Sequence, residues 1–156
     1  MKKANQNVIS FGNLLSTALI AGTLDGLAAV IFLAKMNFSG VFQYISSAIM
    51  GKAAYAGGIK TVLIGLVLHY FITFSFTVFF VLVSNKISAL SKNILLSGII
   101  YGIFVWAVMN LLIVPLTQIP ESPIHLEKAI INTIILIFCI GLPISYLTAR
   151  SLRFQS

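Results

Sequence analysis

Four long, almost uncharged apolar stretches fill most of the 156 residues of this chain. An α-helix rises about 1.5 Å per residue, so roughly 20 apolar residues cross a hydrocarbon core of about 30 Å. Stretches of that length run over about 14–33, 61–83, 94–116 and 129–149. Because they are continuous rather than alternating, they favour helices over the strands of a membrane β-barrel. The pattern predicts an all-α, polytopic membrane protein with a single four-helix transmembrane domain over 1–156.

A segment of about 38–56 separates the first two stretches and is too polar to cross the bilayer. Its apolar residues recur at helical spacing, at Phe42, Ile45 and Ile49. Its polar residues lean towards another face, at Gln43, Ser46 and Ser47. This periodicity predicts a short amphipathic helix at the membrane surface, ended by Gly57 and Gly58. Such a helix either covers the bundle or gates access to it.

The composition agrees with a lipid environment. Hydrophobic residues make up 59% of the chain and charged residues 8%, whereas about 25% of a soluble domain is charged. The net charge of +7 does not indicate a nucleic-acid partner, because the basic residues lie at the ends of the apolar stretches and in their connections. Four spans place both termini on one side, which then holds six of the ten basic residues: Lys2, Lys3, Lys86, Lys92, Arg150 and Arg153. The positive-inside rule therefore predicts cytoplasmic N and C termini.

Asp25 is the one formal charge inside the four spans. It follows Gly22 by three positions and directly precedes Gly26, so it lies on a face of small residues that should meet another helix. An ionised carboxylate near the middle of a membrane costs at least about 2.5 to 3.5 kcal/mol. We therefore expect Asp25 to be protonated, paired or next to a hydrated cavity, and each of these indicates a functional residue.

The second and third spans offer polar partners for Asp25. Small and polar residues recur every four positions along the second span and form one ridge: Thr61, Gly65, His69 and Thr73. Asp25 lies nine residues before Ala34, at the end of the first span, and His69 lies nine residues after Lys60, just before the second. The two are therefore at the same depth from one membrane surface, which predicts a hydrogen bond between them. Asn110 lies in the corresponding half of the third span. We expect the three to form a ligand- or proton-handling site, with a self-satisfied network that pins three helices as the alternative.

Two pairs of glycines have the small-xxx-small spacing that lets helix backbones approach closely in lipid. They are Gly22 with Gly26 in the first span and Gly98 with Gly102 in the third. The spacing predicts helix packing within the chain, and a homo-oligomer interface is the alternative. Pro143 in the fourth span removes a backbone donor and leaves the Cys139 carbonyl without its usual partner, which predicts a helix kink.

The sequence offers little support for catalysis or metal binding. Its two histidines and one cysteine show no E-x-x-H or C-x-x-C spacing, so we expect no metal. It contains no G-x-S-x-G motif, and Cys139 is expected to be a packed thiol in apolar surroundings. We accordingly assign no catalytic residue and expect no cofactor, and an enzyme is the minority interpretation.

Several short segments together carry a family resemblance. They are Ala21-Gly-Thr-Leu-Asp25-Gly, the stretch 51–58, the segment 65–69, Met109-Asn110 with Val114-Pro-Leu116, and Gly141-Leu-Pro143. The chain resembles a family of small uncharacterised bacterial four-span proteins of the inner membrane, distantly similar to the YagU type. The resemblance implies a location and an architecture but transfers no catalytic role. Relatives of this kind carry a histidine shortly before the Gly-Leu-Pro element, where Phe138 and Cys139 stand in this chain.

Three functional hypotheses follow from these features. The first is non-enzymatic handling of a proton, ion or small solute at a polar pocket inside the membrane. The second is a structural or accessory subunit whose glycine faces dock onto a larger membrane complex. A membrane-embedded lipid-modifying enzyme comes third. The lipid bilayer is the expected surrounding in every case, and a homo-oligomer or a larger membrane complex stays open as a partner.

Overall fold

The computed structural model of the protein describes residues 9–120 and 125–153, and these residues are largely helical, without a strand. The all-α fold is therefore confirmed. Four helices are long and apolar enough to cross a membrane: α1 (Phe11–Leu33), α3 (Gly58–Lys86), α5 (Ile94–Leu116) and α6 (Leu126–Arg153). Two shorter α-helices lie between them, α2 (Phe38–Met50) and α4 (Ser88–Lys92), and a 3-10 helix covers Gly51–Ala56 after α2. The protein is thus a multi-pass membrane protein.

Side-chain caps begin three of the helices. The Ser10 hydroxyl accepts a hydrogen bond from the Asn13 N–H at 3.3 Å, ahead of α1. Asn37 caps α2 through the Gly40 N–H at 2.9 Å, and Asn93 caps α5. These oxygens satisfy amide groups that a helix start leaves without partners. The caps explain why α1 begins before the apolar stretch near residue 14.

The four spanning helices form a bundle in which α1 packs against α3 on one side and α6 on the other, and α5 packs against α6. Aromatic side chains join α3 to α5. Phe80 and Tyr101 have ring centroids 4.7 Å apart, and the Tyr101 hydroxyl donates to the Phe76 carbonyl at 2.5 Å. The buried core draws on all four helices and contains Ala21, Phe80, Tyr101, Val105, Leu136, Ile140 and Ile144.

Both glycine pairs lie at helix contacts within the chain. A Cβ atom added to Gly22 would lie 3.0 Å from the Tyr70 ring of α3. A Cβ atom added to Gly102 would lie 2.5 Å from the Ile137 Cα of α6, and at Gly98 it would lie 2.9 Å from the Leu142 Cα. These helices approach each other as closely as glycine permits.

The buried face of α2 differs from the predicted one. Ser46 and Ser47, which we expected on another face than the apolar residues, are 0% exposed and lie buried with Phe42, whereas Ile49 is 55% exposed. The two hydroxyls donate to carbonyl groups of their own helix at 3.0 and 2.6 Å, so their burial leaves no donor without a partner. Small side chains let α2 lie so close to α3 that the Phe42 carbonyl rests on Gly65. The buried face of α2 therefore combines Phe42 with the two serines, and Ile49 lies outside it.

Three of the spanning helices contain a π turn, in which the N–H group bonds five residues back. These turns cover Ala29–Leu33 in α1, Val108–Ile113 in α5 and Ile137–Gly141 in α6. The turn in α6 lies directly before Pro143, and its last bond runs from the Leu142 N–H to the Ile137 carbonyl. The helical path continues through Pro143 to Arg153. The irregularity near this proline therefore takes the form of a wider turn.

The basic residues divide between the two ends of the bundle. Lys86 and Lys92 lie at the turn between α3 and α5, where α4 packs against the last turns of α6. The α5–α6 connection lies at the opposite end, where the Gln118 N–H donates to the Ala48 carbonyl of α2 at 3.0 Å. Lys2 and Lys3 lie outside the described residues. The assignment of the first end to the cytoplasm stays a prediction.

The contact between Gly65 and α2 generates a stability prediction. A methyl group at Gly65 would collide with the Phe42 carbonyl, so we expect Gly65→Ala to lower the free energy of unfolding by about 1–3 kcal/mol. Gly12→Ala is the matched control, because a Cβ atom there meets nothing within 4 Å. It should be neutral or stabilising by up to about 1 kcal/mol. Detergent-denaturation curves followed by circular dichroism measure both, and equal stabilities for the two variants would contradict the contact.

Candidate functional site

The ridge predicted along the second span faces the interior of the bundle. The four predicted members on α3 are all buried, Thr61, Gly65, His69 and Thr73, and Thr77 continues the ridge one turn further. The threonine hydroxyls turn back to carbonyls of their own helix, as in the 3.0 Å bond from Thr73 to the His69 carbonyl. His69 is thus the ridge residue whose side chain reaches another helix. It is 8% exposed.

The His69 ring joins three helices. Its Nε2 atom lies 2.7 Å from the Gly22 carbonyl oxygen of α1. Because a carbonyl oxygen only accepts, Nε2 must carry the hydrogen and donate. The ring also meets Phe42 of α2 edge to face, with centroids 5.9 Å apart, and Tyr70 at 5.5 Å. The Nε2 donor of His69 is therefore held by α1.

The glycines of α1 create the space for this contact. A Cβ atom on Gly26 would lie 3.3 Å from the His69 Nε2 atom, and one on Gly22 would press on the Tyr70 ring. The Tyr70 hydroxyl lies 2.9 Å from the Thr23 hydroxyl and adds a second polar link between α1 and α3. Glycine therefore lets the imidazole reach the main chain of α1, and the hydrogen bond predicted between His69 and Asp25 is replaced by one to the Gly22 carbonyl.

Asp25 is partly buried and lies between two helices. Its carboxylate is close enough to His69 of α3 to interact electrostatically, and it interacts in the same way with Cys139 of α6. In the two described ranges, no hydrogen-bond donor reaches the carboxylate. Asp25 and His69 are therefore brought together as predicted, but as electrostatic neighbours rather than as a hydrogen-bonded pair.

Asn110, the third predicted group, bonds within its own helix. Its Nδ2 atom donates to the Trp106 carbonyl one turn earlier, at 2.9 Å. Its amide has no hydrogen bond to Asp25 or His69 among the described residues. The Trp106 indole N–H is buried and has no acceptor in this part of the chain. The structure therefore gives Asn110 a partner that the depth argument did not foresee, and its role at the site stays a prediction.

Each candidate on α1, α5 and α6 lies in or beside a π turn. The α1 turn begins four residues after Asp25, where the Ala29 N–H is shared between the Asp25 and Gly26 carbonyls. Asn110 and Cys139 lie inside the turns of α5 and α6. Single π turns within α-helices are frequent at functional sites, because the wider ring loosens the regular hydrogen bonding. The backbone is thus irregular at Asn110 and at Cys139, and it becomes irregular one turn after Asp25.

Cys139 is the neighbour of Asp25 that reasoning from the sequence missed. We interpreted it as a packed thiol, and it is partly buried. The one sequence signal at this position was the departure from the resembling family, which carries a histidine close to it. Within 9–120 and 125–153, no group of three histidine, cysteine or acidic side chains is arranged to hold a metal ion.

Comparison of the chain with protein-family models, with curated proteins and with solved structures finds no match. The resemblance to the YagU type therefore stays a prediction. Fold and site define an all-α multi-pass membrane protein in which Asp25 lies within the apolar part of a spanning helix.

The bond from His69 to Gly22 generates a second prediction. Glutamine can keep an N–H donor close to the position of Nε2, whereas leucine cannot. We expect His69→Gln to be more stable than His69→Leu by about 0.5–1.5 kcal/mol, the usual net value of a hydrogen bond. Hydropathy alone predicts the opposite order, because leucine is the better residue in lipid. Unfolding in mixed detergent micelles measures the difference, and a leucine variant as stable as the glutamine variant would refute the bond's contribution.

Proposed function

We propose that this protein handles a proton, ion or small solute, without enzymatic chemistry, at a polar site inside the membrane centred on Asp25. The carrying observation is that the Asp25 carboxylate lies within the bundle with no hydrogen-bond donor in reach among the described residues. A cation or a proton is the simplest partner for such a group, because charge in this environment must be neutralised.

The competing structural explanation requires a network that satisfies itself. In that case Asp25, His69 and Asn110 would hydrogen-bond to one another and only hold helices together. Instead, the His69 donor is used by the Gly22 carbonyl and the Asn110 donor by the Trp106 carbonyl. A partly buried acid inside a spanning helix, with no hydrogen bond to the other described residues, is a functional candidate. The unpartnered carboxylate therefore supports a functional acid.

His69 would tune the charge of Asp25 rather than share its proton directly. With Nε2 held by Gly22, a second proton on Nδ1 makes the ring cationic and favours an ionised carboxylate nearby. A neutral ring removes that support. The charge on Asp25 would therefore depend on the charge of its histidine neighbour.

The accessory-subunit hypothesis loses its main support. It relied on glycine faces that are free to dock with another protein, but Gly22 and Gly26 face α3, whereas Gly98 and Gly102 face α6. Both glycine faces are therefore occupied by other helices of the same chain. We propose further that the protein resides in a bacterial inner membrane, as its resemblance to the YagU type implies, and that its termini are cytoplasmic, as the distribution of lysine and arginine favours.

Asp25→Asn tests the proposal. The variant keeps the shape of the side chain but cannot ionise, so we expect it to fold and to lose the pH response of the parent completely. The single tryptophan, Trp106, reports that response, because it packs against the core that contains Ala21, one turn before Asp25. Its fluorescence would be titrated with pH in lipid nanodiscs.

Glu127→Gln is the matched control, since Glu127 is an exposed acid in the first turn of α6. It should keep the parent titration. Proton entry into liposomes that contain the protein and a trapped pH dye gives a second readout with the same expected order. If the asparagine variant retains every pH response of the parent, the proposal fails.

A further inference from the structure

The short helix α2 packs directly against the surroundings of Asp25. Its Phe42 ring meets the His69 ring edge to face, with centroids 5.9 Å apart. A Cβ atom on Gly26, the residue after Asp25, would lie 3.7 Å from the Phe42 Cζ atom and 3.3 Å from the His69 Nε2 atom. Phe42, 3% exposed, therefore contacts both the histidine and the glycine that border the acid.

α2 covers these groups from one end of the bundle. The Phe42 carbonyl rests on Gly65, one helical turn before His69 on α3. Further along α2, the Ala48 carbonyl accepts a hydrogen bond from the Gln118 N–H of the α5–α6 connection. This connection lies at the end of the bundle opposite to the α3–α5 turn. α2 therefore lies on the side of His69 that faces the α5–α6 connection.

Few polar bonds hold α2 in this position. The hydroxyls of Ser46 and Ser47 donate to carbonyl groups within α2 itself. In the described part of the chain, no side chain of α2 hydrogen-bonds to a spanning helix. The contact with α3 thus depends on van der Waals packing. Movement of α2 away from α3 would leave none of its side-chain donors without a partner.

The backbone on both sides of α2 has positive φ angles. After the helix, Gly51 has φ 57° and ψ −145°, a conformation that glycine adopts most readily, and Gly58 has φ 56°. Before the helix, Lys35 and Met36 have φ 48° and 70°, which is uncommon for residues with a side chain. Sparsely populated conformations of this kind cluster in switch regions. The two turns are therefore suited to act as hinges.

We propose that α2 is a lid, which opens the Asp25 site to water at the end of the bundle that holds the α5–α6 connection. This inference rests on the function proposed for Asp25 and names the route by which a proton or cation reaches the carboxylate. Rotation of α2 about the turns at its two ends lifts the Phe42 ring away from His69. The buried core contains no residue of α2, so the four spanning helices can stay packed while it moves.

Labelling of Asp25 by a water-soluble carbodiimide and glycine ethyl ester tests the lid in lipid nanodiscs. The reagents couple an accessible carboxylic acid to the amine as an amide, and mass spectrometry of the peptides gives the rate. Ala48→Cys with Gln118→Cys places two thiols at residues joined by a main-chain hydrogen bond, within the reach of a disulfide. Cys139→Ala, made in the parent and in the variant, removes the single native thiol.

The oxidised cysteine pair holds the lid closed. We expect it to lose most of the labelling at Asp25, and reduction of the disulfide should restore the rate of the parent. Glu127, an exposed acid, should label at the same rate in both forms. Equal labelling of Asp25 in the oxidised and reduced forms would overturn the proposal. A pair that does not cross-link under oxidation would contradict the closed position of α2.

Phe42→Ala tests the opposite direction, because it removes the ring that covers His69. A minor open state is at most about 10% populated, so a variant that is always open should label Asp25 about tenfold faster or more. Ile49→Ala is the matched control, since Ile49 lies on the same helix and is 55% exposed. It should label at the rate of the parent. An unchanged rate in Phe42→Ala, or an equal rise in both variants, contradicts the lid.

The labelling rate measures access to Asp25 and not what the carboxylate binds, so the two proposals fail separately. If the locked and reduced forms label alike while Asp25→Asn loses the pH response, the lid is wrong and the proposed function stands. If Asp25→Asn keeps the pH response while the lock blocks labelling, the proposed function is wrong and α2 still controls access to the acid.

Discussion

The close approach of helix backbones at glycine residues is the constraint on which the rest of this structure depends. Lipid tails are as apolar as the helices, so no hydrophobic force drives the helices together, and van der Waals contact must hold the bundle. Glycine provides that contact where the Phe42 carbonyl rests on Gly65 and where Gly141 of α6 meets the Gly98 carbonyl of α5. The same closeness allows His69 to reach the Gly22 carbonyl of α1.

The π turns are connected with this packing. In α6, the turn over Ile137–Gly141 contains the residue that contacts Gly98, and it ends just before Pro143, which has no N–H group to donate. A π turn adds a residue to one turn of a helix and so shifts the faces that follow it. In this case the turn also carries Cys139, which lies close enough to Asp25 to interact with its charge. Backbone packing and the position of the polar site are therefore parts of one arrangement.

The protein concentrates its polar chemistry in two separate places. One is a single carboxylate among apolar helices, where neutralisation by a proton or cation is strongly favoured. The other is the basic end of the bundle, where two arginines and the start of α5 share a groove with apolar walls. The two places share no residue.

The sequence by itself determined the fold class, the four spans and the buried ridge of α3, because a long apolar run in lipid must satisfy its backbone within a helix. It also placed Asp25 and His69 at the same depth in the membrane. Only the tertiary structure decided that His69 bonds to Gly22, that Ser46 and Ser47 of α2 are buried, and that Cys139 lies beside Asp25. Helical spacing shows which residues share a face, but not which helix that face meets. Which helix a face meets depends on how all the helices pack together. It also depends on π turns, which rotate the residues that follow them away from the positions that regular α-helical spacing predicts.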